Sequence, residues 1–184
     1  MALENLQDLF LEQLKDINDA EHRITKALPQ MAREVASEEL SSAFEEHLSQ
    51  TEEHLERLTR VFRMIGESPD NKTCKAMVGL LEEAEEIMRE DAPESVMDAG
   101  LIAATQKVEH YEIATYGCLR DWAQLLGLNE AVEALQQTLD DEEEMDRALT
   151  EIAQSLNGEA MEGEDELEVE EEEDTGSKVK SRSR

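Results

Sequence analysis

The sequence has few of the residues that interrupt helices or fill β-sheet cores. Aromatic residues make up 3% of the chain, and its 184 residues include three prolines and eight glycines. An all-β fold is therefore excluded, because its strands and turns depend on these residue types. Strong helix formers, namely Ala, Leu, Glu, Met and Gln, dominate the first 156 residues and predict an all-α protein.

Cysteine and long apolar runs are also scarce. Cys74 and Cys118 are far apart and lack CxxC spacing, which excludes a disulfide scaffold and a zinc finger. No apolar run approaches the roughly 18 residues of a membrane span, and the residues after Met1 enter an amphipathic helix rather than a signal peptide. We expect a cytoplasmic protein with no membrane partner.

Positively charged residues are also scarce. The net charge is −30, and seven lysines stand against 35 glutamates. The segment from residue 158 holds 11 acidic and 4 basic residues, so the rest of the chain carries about −23 and its whole surface is acidic. Nucleic-acid binding by the folded domain is excluded, since phosphate recognition needs a basic face. The Lys-poor surface favours a halophile's cytoplasm over an acidic protein of an ordinary cell.

Five helices are predicted from the apolar periodicity and the break points. They are expected at about 3–36, 37–65, 73–90, 96–126 and 129–156, the last ending at Asn157-Gly158, with Ser37 as an N-cap and Gly127 as a C-terminal glycine. Short joins make two antiparallel hairpins, and about 29 residues with their own helix separate them. This long crossover is typical of a ferritin-like, up-down four-helix bundle, here over residues 1–157.

The segment 158–184 differs from the rest in composition. It is an acidic low-complexity run followed by the basic end SKVKSRSR, and it predicts a disordered tail. The basic end is either solvated or able to contact a polyanion, and the neighbouring acidic run favours the first alternative.

Glu21 interrupts an otherwise apolar stripe on the first helix. Residues spaced by three and four share one helix face. The stripe comprises Phe10, Leu14, Ile17, Glu21, Ile24, Leu28, Met31 and Val35. A core-facing carboxylate is costly unless something neutralises it, which suggests a metal site. The alternative is a single glutamate that is partly hydrated or protonated.

Three other helices carry polar residues near the middle of their core stripes. These are His54 on the second helix, Glu109 and Glu112 on the fourth, and Glu142 on the fifth, where Met145 or Asp146 continues the stripe. If the hairpins turn at 36–37 and 127–128, Glu21 lies level with residue 52 and Glu142 with residue 113. The predicted metal ligands are Glu21, His54, Glu109, Glu112, Glu142 and Asp146, with Gln50 nearby.

The chemistry of these ligands indicates which metal they suit. Carboxylates with one imidazole suit iron or manganese, and bundles of this type hold two such ions. His47 lies two turns from His54, about 10 Å along the axis. It is therefore expected to be a core histidine or to hydrogen-bond to a ligand, rather than to bind metal.

Several short segments match a known family in combination. The strongest is Val108-Glu109-His110-Tyr111-Glu112-Ile113-Ala114. The others are LQDLF at 6–10, LKD at 14–16, DAE at 19–21, KALP at 26–29, FEEHL at 44–48, RL at 57–58, KTCKAM at 72–77 and GL at 79–80. Together they resemble the YciE/YciF-like family of ferritin-like proteins, over nearly all of the first 156 residues.

The resemblance implies a ferritin-like bundle, a homodimer, a dinuclear metal centre and a link to stress responses. Apolar residues of the crossover helix are candidates for dimer contacts, with packing against their own bundle as the alternative; they are Leu80, Leu81, Ile87 and Met88. One departure concerns the Glu-x-x-His motifs of ferritin-like sites. This chain has Thr51-x-x-His54 and Glu142-x-x-Met145 instead.

Three functions remain open at this point. The first is a dinuclear iron or manganese protein that oxidises Fe(II) or reduces peroxide, with an unknown electron donor because no CxxC rubredoxin-type module is present. The second is a non-enzymatic structural or stress-response dimer with a degenerate metal site, which the missing Glu-x-x-His motifs favour. The third assigns the working role to the acidic tail, as an interaction or cation-buffering arm.

Overall fold

Five helices make up the regular structure of the chain. The computed structural model describes residues 3–69 and 72–180, without the side chains of residue 159 and residues 162–180. The helices are α1 (Leu6–Glu34), α2 (Glu38–Met64), α3 (Lys75–Met88), α4 (Glu94–Leu125) and α5 (Asn129–Lys180). The described residues include no β-strand, which confirms the all-α prediction. Every helix in the described part is too short or too polar to cross a membrane.

Four of the helices form a bundle in which the chain runs up, down, down and up. Going round the bundle the order is α1, α2, α5, α4, and α3 packs on the α1–α4 side. Asp98, near the start of α4, accepts hydrogen bonds of 2.9 Å from the backbone N–H groups of Ala36 and Ser37, between α1 and α2. Helices α2 and α4 therefore start at the same end and run parallel. The crossover through α3 returns the chain to that end, as the sequence predicts.

The predicted turn chemistry is confirmed at two joins. The Ser37 hydroxyl accepts a hydrogen bond of 3.2 Å from the Leu40 backbone N–H and caps α2. Gly127 has a φ of 74°, and the next N–H, of Leu128, donates back to the Ala123 carbonyl at 2.9 Å. This is a Schellman-type ending, which needs a left-handed residue and so favours glycine.

Helix α5 continues beyond the stop that Asn157-Gly158 suggests. An interior glycine costs a helix only about 1 kcal/mol relative to alanine and does not block its hydrogen bonds, unlike proline. Leu156 is the last buried side chain of α5 among those described. The predicted disorder of residues 158–184 concerns residues whose side chains, except at 158, 160 and 161, lie outside the described part. The predicted boundary at 157–158 stays a prediction.

The predicted core stripes all face the bundle interior. Each residue of the Glu21 stripe that lies within α1 is buried, and so are the predicted ligands of α2, α4 and α5 apart from Asp146. The two cysteines differ: Cys74 is buried, whereas Cys118 is exposed. Leu80, Leu81, Ile87 and Met88 are half-buried and pack against the core of their own bundle.

Polar contacts fasten the start of the crossover helix to α1 and α4. The Lys72 ammonium lies 2.8 Å from Glu12 and 3.0 Å from Asp16. Tyr111 of α4 donates to the other oxygen of Asp16 at 2.7 Å. The backbone N–H of Cys74 donates to Asp19 at 2.8 Å. These contacts hold the start of α3 against α1 and α4.

We predict that Asp98→Asn destabilises the bundle. The substituted side chain would present an NH₂ group to one of the two backbone N–H groups that Asp98 now satisfies, so a partly buried donor loses its acceptor and two donors face each other. The expected loss in the free energy of unfolding is about 1–3 kcal/mol, measured by urea denaturation. Asp91→Asn, at an exposed position, is the control and should leave stability unchanged. Equal effects of the two substitutions would contradict the structural role of Asp98.

Candidate metal centre

All four bundle helices contribute ionisable side chains to one layer of the core. Their residues occupy positions on the core stripes where an apolar side chain is expected. They are Glu21 from α1, His47 and His54 from α2, Glu109 and Glu112 from α4, and Glu142 from α5, each no more than 1% exposed. Such complete burial of six ionisable groups is unusual, since charged groups are rarely buried without partners or a metal.

The six side chains form two groups of converging donor atoms. His47, Glu109, Glu112 and Glu142 make a four-donor group, and Glu21, His54 and Glu142 make a three-donor group. Within each group one ligand atom per residue lies within 4.8 Å of all the others. Glu142 belongs to both groups, so a single carboxylate stands between two candidate metal positions. The structure thus brings together five of the six ligands expected from the sequence.

His47 corrects the expectation that it lies too far along α2 to serve this site. Its Nε2 atom lies 3.4 Å from Glu109 and 3.8 Å from Glu142. Its ring centroid is 6.3 Å from that of His54. The backbones of His47 and His54 are about 10 Å apart along the axis of α2. Their side chains still reach one cluster, because the two donor groups together extend over more than one helical turn. The sequence does contain a signal that His47 faces the site, because His47 lies on the same core stripe as His54, seven residues before it.

Asp146 is the predicted ligand that the structure does not bring to the cluster. Its carboxylate is 21% exposed and lies 3.5 Å from the ring of His110 and 3.2 Å from the amide nitrogen of Gln106. Met145 continues the core stripe in its place and is buried. Met145 and Asp146 lie on either side of the direction of Glu142 on α5; Met145 takes the core side, and Asp146 turns to Gln106 and His110 of α4.

Nine buried side-chain atoms of the described residues have no hydrogen-bond partner, and all nine belong to this cluster. They are Nε2 of His47, Nδ1 of His54, Oε2 of Glu21, and both carboxylate oxygens of Glu109, Glu112 and Glu142. His54 Nδ1 does lie 3.0 Å from Glu142 Oε1, within ion-pair range, but without the geometry of a hydrogen bond. Short distances without donor–acceptor alignment fit atoms that face a common ligand. The residues present therefore fit a metal centre.

The opposite side of each histidine ring is held by a polar neighbour. His54 Nε2 lies 3.3 Å from Asp141, whose other contact is Arg57 at 2.5 Å. His47 Nδ1 lies 3.3 Å from the side-chain oxygen of Gln50. With a proton on each of these ring nitrogens, the lone pairs of the other two nitrogens face the cluster. Gln50 was expected near the site from the sequence, whereas Asp141 was not.

Tyr116 orients the carboxylate of Glu21. Its hydroxyl is fully buried and donates a short hydrogen bond to Glu21 Oε1. The second oxygen, Oε2, is left without a partner and faces the cluster. Burial, and then the charges of Glu21 and Glu112, raise the pKa of Tyr116 well above its usual value. The phenol therefore stays a neutral donor.

The electrostatics of the metal-free cluster favour bound protons. Burial raises the pKa values of Glu109 and Glu112 well above 4.5, and the nearby carboxylate of Glu142 raises them further. Burial alone lowers the pKa of His54, but Glu142 and Glu21 outweigh it and raise this pKa to about 10. Protons thus occupy the place of a cation, and metal uptake must release them.

Comparison with known proteins is consistent with this architecture. Residues 5–162 match the family model described as Domain of unknown function (DUF892). The chain belongs to this family. Protein YciF of Escherichia coli strain K12 is 42% identical over 158 residues, which cover 83% of this chain and 93% of YciF. The expected resemblance to the YciF-like family is confirmed.

Solved structures of family relatives share the fold. The crystal structure of the E. coli stress protein YciF superposes with a TM-score of 0.82 at 40% identity, covering 84% of this chain and 98% of that one. YcfI from Rhodopseudomonas palustris gives a TM-score of 0.78 at 40% identity, with coverage of 80% and 94%. Both relatives are therefore similar to this chain along nearly their whole length.

We predict that the metal-free protein loses stability as the pH rises from about 6 to about 9. A raised folded-state pKa stabilises the fold below the unfolded pKa, and this stabilisation is lost as the pH rises through the folded value. The shifts of Glu109, Glu112 and His54 all have this sign. Thermal denaturation of chelator-treated protein across this range measures the decline.

Two variants distinguish ionisation of the buried cluster from charge repulsion across the whole acidic surface. Glu112→Gln removes one buried group that must ionise, so its melting temperature should fall less with pH than that of the wild type. Glu133→Gln changes an exposed glutamate of α5 and should leave the slope unchanged. A melting temperature of metal-free wild type that rises across the range would contradict the assigned pKa shifts.

Proposed function

We propose that this protein binds two transition-metal ions, iron or manganese, in the core of its bundle and uses them to oxidise Fe(II) or to reduce peroxide. One ion is held by His47, Glu109, Glu112 and Glu142, and the other by Glu21, His54 and Glu142. The relative YciF is named a stress protein. We extend this to a stress-associated role here, in which the protein limits reactive mixtures of iron and peroxide.

The observation that carries the proposal is the set of nine buried atoms without partners. A polar atom left unsatisfied in a protein core costs about 1–3 kcal/mol, and a charged one costs more. The summed cost of nine such atoms within one layer would be comparable to the whole net free energy of unfolding of a domain, which is about 5–15 kcal/mol. Metal ions remove that cost by bonding to the same atoms, so the cluster is best explained as a ligand set.

The type of donor limits the choice of metal. Four carboxylates and two imidazoles are hard and intermediate ligands, which suit iron and manganese. The cluster contains no thiolate, and Cys74 makes its contacts with Tyr111 and the backbone of α3 instead. In carboxylate bundles of this kind the ligands project inward from all four helices, as they do here.

The surrounding residues prepare the ligands for this role. Asp141 and Gln50 hold the two rings with a lone pair toward the cluster, and Tyr116 holds Glu21 with one oxygen toward it. The closely packed apolar layers above and below keep bulk water away from the ligands. Bound ferrous ions would supply the two electrons that reduce hydrogen peroxide to two waters when two protons are added.

A structural role is the competing proposal, and two observations favour it. Thr51 and Met145 occupy the positions where the Glu-x-x-His motifs of ferritin-like sites would provide further ligands, and both are buried. In that case the cluster would hold protons rather than metal, and the protein would act as a scaffold or dimer in stressed cells. This alternative predicts that chelators and metals leave stability unaltered.

The assembly and the environment belong to the proposal as well. We infer a homodimer in a salt-rich cytoplasm from the family resemblance, the net charge of −30 and the scarcity of lysine. An acidic surface of this density repels itself at low salt and is screened at molar salt. Sedimentation velocity at both salt concentrations would test the dimer, and a monomer at every concentration would contradict it.

We predict uptake of about two Fe(II) ions per chain in an anaerobic titration, with a rise in melting temperature by mass action. Subsequent exposure to air should produce the absorbance of an oxo-bridged ferric pair. His47→Gln should bind about one ion per chain, because it removes a ligand of only the four-donor group. His110→Gln alters a neighbouring but exposed histidine and is the control, with binding like that of the wild type.

The result distinguishes the two proposed functions. Failure of the wild type to take up iron or manganese at any salt concentration would favour the structural dimer. Uptake without oxidation would keep the metal site but remove the redox role. Glu21→Gln combined with Glu142→Gln should abolish metal-dependent oxidation, and unchanged oxidation by this variant would place the reaction elsewhere.

We also predict a loss of metal affinity in Asp141→Asn. The Asp141 carboxylate fixes the ring of His54 from outside the cluster, and loss of such a partner weakens metal binding by about 10- to 100-fold. Competition with a coloured chelator measures the affinity. Asp140→Asn, at the exposed neighbouring position, is a matched control that should bind metal normally. Equal affinities for both variants would show that Asp141 does not orient the ligand.

A further inference from the structure

A surface groove lies between α1 and α3, on the side of the bundle that the crossover covers. Its volume is about 330 Å³, and side chains of both helices line it. Charged residues form its rim, among them Arg23, Lys26 and Glu82. Its floor is apolar and includes Ala27, Met31, Leu81 and Ala84.

A small cavity lies directly beneath this floor. The same four floor residues form its outer wall, and Ala104, Thr105, Val108 and Glu109 of α4 form its inner wall together with two residues of α1, Ile24 and Leu28. Its volume is about 10 Å³. A space of that size holds about one water molecule or a molecule of similar size.

Glu109 connects this cavity to the metal centre. Its side chain lines the cavity, is 0% exposed, and has both oxygens without a hydrogen-bond partner. Its carboxylate lies 3.4 Å from His47, inside the four-donor group. Groove, floor, cavity and Glu109 therefore follow one another from the surface to the ligands.

The polarity of this route determines what can use it. Besides Glu109, Thr105 is the polar residue of the cavity wall, and its hydroxyl already donates to the Leu101 carbonyl at 2.8 Å. A hydrated cation would lose its water shell here without replacement ligands, which is strongly unfavourable. An uncharged molecule of about the size of water carries no charge to desolvate, so its cost of entry is much smaller.

We propose that this groove and cavity are the entry route for an uncharged, water-sized oxidant, dioxygen or hydrogen peroxide, to the metal centre, and that Ala27 and Ala84 keep the floor passable. The inference rests on the proposed function. It assigns a role to α3, which contributes no ligand: α3 supplies the small side chain of Ala84 where the groove meets the cavity, opposite Ala27 of α1. Metal ions enter by another path.

The first test needs no metal. Dissolved dioxygen is paramagnetic, so under oxygen pressure it speeds the relaxation of methyl groups beside which it resides. In metal-free, methyl-labelled protein, the methyl groups of Ala84, Ala104 and Val108 should relax faster than those of Leu135 and Leu149, which are buried elsewhere in the core. Equal enhancement in both sets would overturn the route.

The second test uses nitric oxide as an uncharged diatomic probe of Fe(II)-loaded protein. Ala84→Leu fills the floor, and the association rate of nitric oxide, followed by stopped-flow absorbance, should fall by about tenfold or more because a rigid core does not reopen the space. Ala104→Val narrows the cavity with less overpacking and should show a smaller decrease. Ala123→Leu adds the same bulk at an equally buried site of α4 away from the route and is the control.

The two tests separate the route from the function it serves. Variants are compared only after Fe(II) titration shows equal binding, so that slower nitric oxide association cannot result from loss of the metal site. Bound iron with unchanged nitric oxide association in Ala84→Leu would overturn the route and leave the metal centre standing. Absence of iron binding in the wild type would overturn the proposed function, whereas the oxygen relaxation experiment would still decide whether the cavity admits dioxygen.

Discussion

The burial of four carboxylates and two imidazoles in one layer of the bundle is the constraint on which the rest of the structure depends. These groups repel one another when ionised, and burial, followed by their mutual proximity, raises the pKa values of Glu109 and Glu112. Apolar side chains at the same positions would pack at no electrostatic cost. The layer therefore makes physical sense only with cations in it, either protons or the metal ions that we propose.

The neighbouring structure is arranged around that layer. Asp141, Gln50 and Tyr116 each contact the side of a ligand that faces away from the cluster, so His54, His47 and Glu21 each present a free atom inward. Asp98 ties the first hairpin to α4, which holds the two hairpins in register. The crossover helix α3 contributes no ligand. It covers the α1–α4 flank and leaves a cavity of about 10 Å³ beneath it.

Much of the site could be derived from spacing alone. Glu21, Glu112 and Glu142 lie on apolar stripes near their helix midpoints, and hairpin geometry places such midpoints at one level. His47 is excluded from the predicted ligands because its backbone lies about 10 Å along α2 from that of His54, which is too far for one shared ion site. Two adjacent candidate ion positions extend along the bundle axis, so both histidines reach the cluster. Asp146 lies one turn after Glu142 and is therefore a candidate from spacing, but its carboxylate contacts Gln106 and His110 of α4 at the bundle flank.

The sequence by itself determined the helices, their core faces, the crossover topology and the presence of buried carboxylates, because these follow from local periodicity and chain connectivity. Only the tertiary structure decided which donors converge, that Glu142 belongs to both groups, and that Asp141 orients His54 from a neighbouring helix. Those features depend on side-chain directions across helices, and such directions are set by the packing of all four helices together rather than by any one segment.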